Sequence, residues 1–171
     1  MNRVDIDLLF GHLYWVRDRL LEVAAEPGVQ LTDPSPATIR DLGHTLVHEL
    51  DVEWSWRVRL AGPDPSRFSE DDEELDAADF PDVASIAARW RTDEAEMRAW
   101  LAWLDQAALD GPCRAERSTS HPLWFHLQHI YTHALQQFSD AAALLTRAGH
   151  SPGELDFLEF VEARIDGRRS A

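Results

Sequence analysis

The stretch HLQHIYTHALQQFSDAAALLTRAG (126–149) decides the fold. It has no proline, closes on Gly149, and places His129, His133 and Gln137 one helical turn apart. Its apolar residues Leu127, Ile130, Ala134, Ala141 and Leu145, with Leu123 just ahead, form one arc. His126, His129, His133, Gln137 and Asp140 fall in an adjacent arc of about 80° at 100° per residue. A long amphipathic helix with a polar row bordering its core stripe satisfies both patterns. Residues four apart on such a helix project from one face, with Cβ atoms roughly 6 Å apart. Two imidazoles held in that way can reach one divalent ion, whose Zn–N bonds are about 2.0–2.1 Å. The competing reading is the solvated flank of a helix that happens to be rich in histidine.

Upstream, the same period recurs. Ile6, Leu9, Leu13, Val16, Leu20 and Val23 step by threes and fours until Pro27-Gly28. A second helix is expected from about Pro36, with Ser35 as its N-cap, to Leu60 and Gly62. Its core row reads Ile39, Leu42, Leu46, Glu49, Glu53, Trp56 and Leu60, so two carboxylates stand at interior positions. Either they are buried with partners, or Val47, Val52, Trp54 and Val58 rotate the helix and expose them. This helix also carries His48, which could join His129 and His133 from a facing helix. His44 competes with it as a second i,i+4 pair.

Residues 63–81 (PDPSRFSEDDEELDAADFP) break the period with proline, serine and a dense acidic run. A solvated crossover between two parallel helices is expected there. The third helix starts near Asp82 and continues through Val83, Ile86, Trp90, Met97, Trp100 and Leu104, with Asp93 as the exception. Residues 110–120 read as a polar connector, and Ser120 and Pro122 open the helix quoted above. Ser151-Pro152-Gly153-Glu154 has the form of a capping box ahead of a short terminal helix. The expected fold is all-α: a four-helix bundle with a long crossover between helices 2 and 3 and a short C-terminal helix, in one domain spanning residues 1–171.

Composition narrows the function. The net charge is −15, which makes nucleic acid and anionic membranes poor partners. All 16 basic residues are arginine, so lysine Schiff bases and lysine general bases are excluded. The single Cys113 forms no intramolecular disulfide and no Cys-rich zinc site. The first residues carry acids where a secretory signal needs an apolar run, and no apolar run approaches the ~18 residues of a membrane span. A cytoplasmic location is the expectation. There is no G-x-S-x-G, Walker A or G-x-G-x-x-G motif. His48-Glu49 is not a zincin start, since Val52 stands where the second histidine would be.

TLVHELDVEWSWRVRLAG (45–62) resembles the "L-x-H-…-E-x-x-W" segment of the DinB-like (damage-inducible) superfamily. LQHIYTHALQQFSDAAALLTRAGHSPGELDFLEFV (127–161) resembles that family's closing segment, and LFGHLYWVRDRLL and DFPDVASIAARW (79–90) are also similar. The resemblance covers essentially the whole chain. It implies a four-helix bundle and a divalent metal, often zinc or nickel, held by one histidine on helix 2 and two on helix 4. His48 and His133 match the first two ligands. Gln137 stands at the third, Thr132 replaces an asparagine, and Gln136 and Phe138 depart from the family's run. Gln137 is a weak neutral ligand beside an imidazole. Three outcomes follow: no metal, a His48/His129/His133 site, or a His48/His133/Gln137 site. Glu53 matches an acidic position and is expected to orient groups or face substrate. The resemblance further implies a homodimer and, as activity, a thiol-dependent transferase or isomerase acting on a small molecule. The alternative is a metal-free bundle that binds a small molecule or serves dimerisation. Trp54, Trp56, Trp100 and Trp103 exceed what one helical face buries, which agrees with a dimer.

Overall fold

Four long amphipathic helices carry the apolar stripes read from the sequence. They are α1 (Arg3–Ala24), α2 (Leu42–Ala61), α3 (Val83–Trp103) and α5 (Leu123–Arg147). The remaining elements are a 3₁₀ turn (Ala77–Asp79), a short α4 (Gln106–Asp110), a two-residue hairpin of β1 (Pro112–Cys113) and β2 (His121–Pro122), and α6 (Phe157–Arg169). The computed structural model describes residues 1–34, 36–62, 74–115 and 120–169, with side chains to 165. Each of α1 and α2 packs against both α3 and α5. The chain is thus an all-α bundle in which α5 and α3 separate α1 from α2.

Leu13, Leu20, Leu50, Ile86, Trp90, Met97, Leu127, Ile130, Ala134 and Ala141 are wholly buried at the centre. Removing such side chains from water is the dominant favourable term for a bundle of this kind. Phe10, Tyr14 and Phe138 extend the core beyond the expected stripes. No described helix is long and apolar enough to cross a membrane. Trp103 lies 89 % exposed at the end of α3.

Helix α2 begins six residues later than the expected Pro36. Asp41 is the N-cap: it is extended at ψ 177°, and its Oδ1 accepts the His44 amide at 2.9 Å. Ile39, placed on the core row by periodicity, is instead 88 % exposed. The expected cap Ser35 lies outside the described residues, as does 63–73 of the crossover. Asp41→Ala should destabilise the bundle by about 1 kcal/mol, the usual worth of an N-cap. A urea titration followed at 222 nm reads this directly, and an unchanged midpoint would count against the assignment.

Two further starts differ from expectation. Helix α5 begins at Leu123 behind Pro122 without a side-chain cap, so Ser120 does not open it. Helix α6 is capped by Asp156, whose Oδ1 accepts the Leu158 and Glu159 amides at 2.8 and 3.0 Å. Ser151 instead closes a local turn onto the Gly153 amide. The α5 terminus does follow the glycine rule: Gly149 adopts φ +90°, a conformation that residues with a Cβ rarely hold.

Candidate metal centre between α2 and α5

Both carboxylates on the α2 core row are buried, Glu49 at 0 % and Glu53 at 1 % exposure. The helix does not rotate them outward. Glu53 is fully engaged by the core: Tyr14 Oη donates to Oε1 at 2.5 Å, and Trp90 Nε1 donates to Oε2 at 2.9 Å. Its two oxygens therefore face α1 and α3 rather than a ligand. Burial raises the Glu53 pKa, and the two donors pull it back. Asp93, the polar exception on α3, is likewise paired, with Arg57 at 3.2 Å and Arg89 at 2.7 Å.

Glu49 is different. Its Oε2 lies 2.7 Å from His133 Nδ1 on α5, while Oε1 is buried with no hydrogen-bond partner among the described residues. Burial, followed by the neighbouring Glu53, raises its pKa well above the ordinary carboxylate value. His133 moves the other way, down to about 4, through burial and then the nearby His48, His129 and Arg40. Burial thus disfavours charge on both partners of this 2.7 Å contact. A cation at His133 Nε2 would favour the tautomer whose Nδ1–H donates to an ionised Glu49, the usual arrangement behind a metal-ligating histidine.

The His48 and His133 ring centroids are 5.5 Å apart. Two imidazoles on one tetrahedral ion place their centroids roughly 5 Å apart, given Zn–N bonds of about 2.0–2.1 Å. This pair fits. The His129–His133 spacing is 6.2 Å, which would open the angle at a shared ion to about 150°. His129 is exposed and stands edge-on to Trp56 at 5.1 Å. Gln137 is half-buried one turn beyond His133. Among the described residues, no group of three or more His, Cys, Asp and Glu is arranged to hold a metal ion. Among the described residues, the donor set is two imidazoles backed by one carboxylate, with any third donor there drawn from outside those residue types.

The remaining histidines have other work. His44 Nδ1 lies 2.7 Å from Asp41 Oδ1 at the α2 cap, and its ring is exposed. His126 is buried, with Nε2 3.2 Å from the Cys113 carbonyl oxygen and its ring stacked on Trp56. It ties the hairpin to α5. His12 is buried between the Tyr131 hydroxyl and the Leu155 carbonyl. The Cys113 thiol is half-buried and its pKa is pushed up by burial, which agrees with an incidental cysteine.

Sequence reasoning placed Glu49 on the interior row without giving it a role at the site. The signal was available: a carboxylate at a core position next to His48 needs a partner, and the facing helix supplies imidazoles. Arg40, whose charge acts on His48 and His133, was not singled out and lies in an irregular connector.

A profile of the DinB family matches residues 1–168. The chain belongs to the DinB family. Comparison with curated proteins returns no match.

Proposed function

We propose that this chain binds one divalent ion of the zinc or nickel class between α2 and α5. His48 and His133 are the imidazole ligands, Gln137 is a weak third donor, and Glu49 positions His133. The observation that carries this reading is the 2.7 Å contact between Glu49 and His133 Nδ1, behind a ring 5.5 Å from His48. The contact leaves Nε2 as the only His133 nitrogen available to a ligand. An ion bound there with an open position supplies Lewis acidity and lowers the pKa of a coordinating thiol. That chemistry suits a thiol-dependent transferase or isomerase, the activity its resemblance implies. Within it, Glu49 holds the ring by accepting a hydrogen bond from its Nδ1–H.

Elemental analysis of tag-free protein, followed by zinc titration of the chelator-treated chain, tests the reading. About one ion per chain is expected. Glu49→Gln should weaken zinc binding about 10- to 100-fold, as loss of a carboxylate behind a metal-ligating histidine does elsewhere. No zinc binding in the wild-type chain would instead favour a metal-free bundle that binds a small molecule. The absence of a third His, Cys, Asp or Glu donor among the described residues supports that second reading.

A further inference from the structure

A cavity of about 420 Å³ opens where α1, α3 and α6 meet, and it shares no residue with the α2–α5 centre. Helix α1 lines it with Asp7, Phe10 and Gly11, α3 with Arg98 and Leu101, and α6 with Phe160 and Arg164. Phe10, Leu101 and Phe160 are buried and give it an apolar floor. Gly11 lets α6 come close: a Cβ there would meet Arg164 Nη1 and Phe160 Cζ, each at 3.2 Å. The Arg164 guanidinium is thereby set against α1, with its Cζ 5.4 Å from the Phe160 ring centroid.

Arg98 is held by a different helix. Its Nε donates to Glu94 Oε1 at 2.6 Å, and its Cζ lies 4.8 Å over the Tyr14 ring. Glu94 also accepts Arg17 on Oε2 at 2.6 Å, so Arg98 shares its carboxylate with a second guanidinium. Among the described residues, the two terminal nitrogens of Arg98 make no hydrogen bond. That edge of a guanidinium is a planar fork matched to a carboxylate. Asp7, the acidic residue of the lining, pairs with Arg3 one turn back at 3.6 Å. Two arginines and one aspartate run against a chain of net charge −15. Two other cavities lack this balance: one sets Arg3 against Asp105, and one sets Arg40 against Asp51, Glu74 and Asp76.

We infer that this cavity binds a small aromatic carboxylate, with its carboxylate on the Arg98 fork and its ring on Phe10, Leu101 and Phe160. The inference goes beyond the proposed function and does not depend on it. An exposed ion pair alone binds weakly, and an apolar floor alone does not select a charge. An occupant with both features engages both parts of the lining, and its ring meets two phenylalanines in the offset or edge-on geometry that aromatic groups favour. Discrimination against analogues lacking either feature is the mark of such a site.

The probes are benzoate, benzyl alcohol and acetate. Each is titrated into the full metal-free chain and followed by the Leu101 methyl signals in NMR spectra, with the His48 and His133 ring signals as the control for binding elsewhere. Benzoate should shift Leu101 saturably, leave the two imidazoles unmoved, and bind at least about tenfold more tightly than either analogue. Arg98→Met should bring benzoate down to the level of benzyl alcohol. Arg98→Lys, which keeps the charge and loses the fork, should fall between the two and guards against a methionine variant that does not fold. No saturable shift of Leu101 by benzoate, equal affinity for benzoate and either analogue, or a benzoate advantage undiminished in the Arg98 variants would overturn the inference. Zinc loading plays no part in the titration, so its failure bears on the metal reading alone.

Discussion

Trp90→Ala is expected to destabilise the bundle by at least about 3–5 kcal/mol, the usual cost of removing a large buried aromatic. Trp90 is wholly buried, packs against Phe138 with ring centroids 5.9 Å apart, and lies beneath the Arg17 guanidinium. Truncation also takes the indole N–H from Glu53 Oε2 and leaves a buried carboxylate oxygen without its donor. Stranding such a group costs about 1–3 kcal/mol more. Against the roughly 5–15 kcal/mol that stabilises an ordinary domain, this one change removes a large share. Urea unfolding monitored by circular dichroism measures it. Trp90→Phe separates the two contributions, because it keeps much of the ring volume and deletes the donor. It should lose about 1–3 kcal/mol. An alanine variant no less stable than the phenylalanine variant would show that packing at this position carries little of the effect.

His133→Ala is expected to weaken zinc binding more than about 100-fold, beyond the range for loss of an outer-shell partner. The bundle should still unfold cooperatively. His133 is half-buried at the α2–α5 seam, so its removal opens little core volume. It does leave Glu49 without its hydrogen bond, and burial disfavours charge on that carboxyl. The structural cost should stay near about 1–3 kcal/mol. His129→Ala should change zinc affinity by less than about threefold, because its ring is exposed and poorly placed for a tetrahedral ion. Gln137→His should tighten binding by restoring an imidazole at the third position. Calorimetric zinc titrations of these variants distinguish the arrangements. Equal losses in His129→Ala and His133→Ala would favour a three-histidine site in place of the one proposed.

Periodicity located the four long helices because each buries a stripe whose spacing the sequence preserves. Ile6, Leu13, Val16 and Leu20 on α1, and Ile86, Trp90, Met97 and the exception Asp93 on α3, are all buried as the stepping requires. Helix starts were less legible because they depend on which polar side chain reaches a free amide. Asp41 and Asp156 do so here, although Ser35-Pro36 and Ser151–Glu154 carry the stronger local patterns. The five-residue α4 and the hairpin behind it are too short to show a period.

At the site, spacing alone identified His133 and its neighbours on one face of α5. It could not rank them, because the ranking depends on the facing helix. Glu49 contacts His133 and His48 faces it, while Trp56 occupies the flank of His129. Arg40 left no trace in the pattern: the connector brings it near α5 by a path with no repeating register.

The Tyr14–Glu53–Trp90 linkage also constrains how this sequence can evolve. Losing either donor exposes the carboxylate to an empty interior, and losing the carboxylate strands a hydroxyl and an indole at once. Each one-step neighbour is therefore less fit to fold than the starting chain. An apolar replacement is reachable only if all three positions change nearly together, which makes the trio a slowly drifting part of an otherwise permissive core.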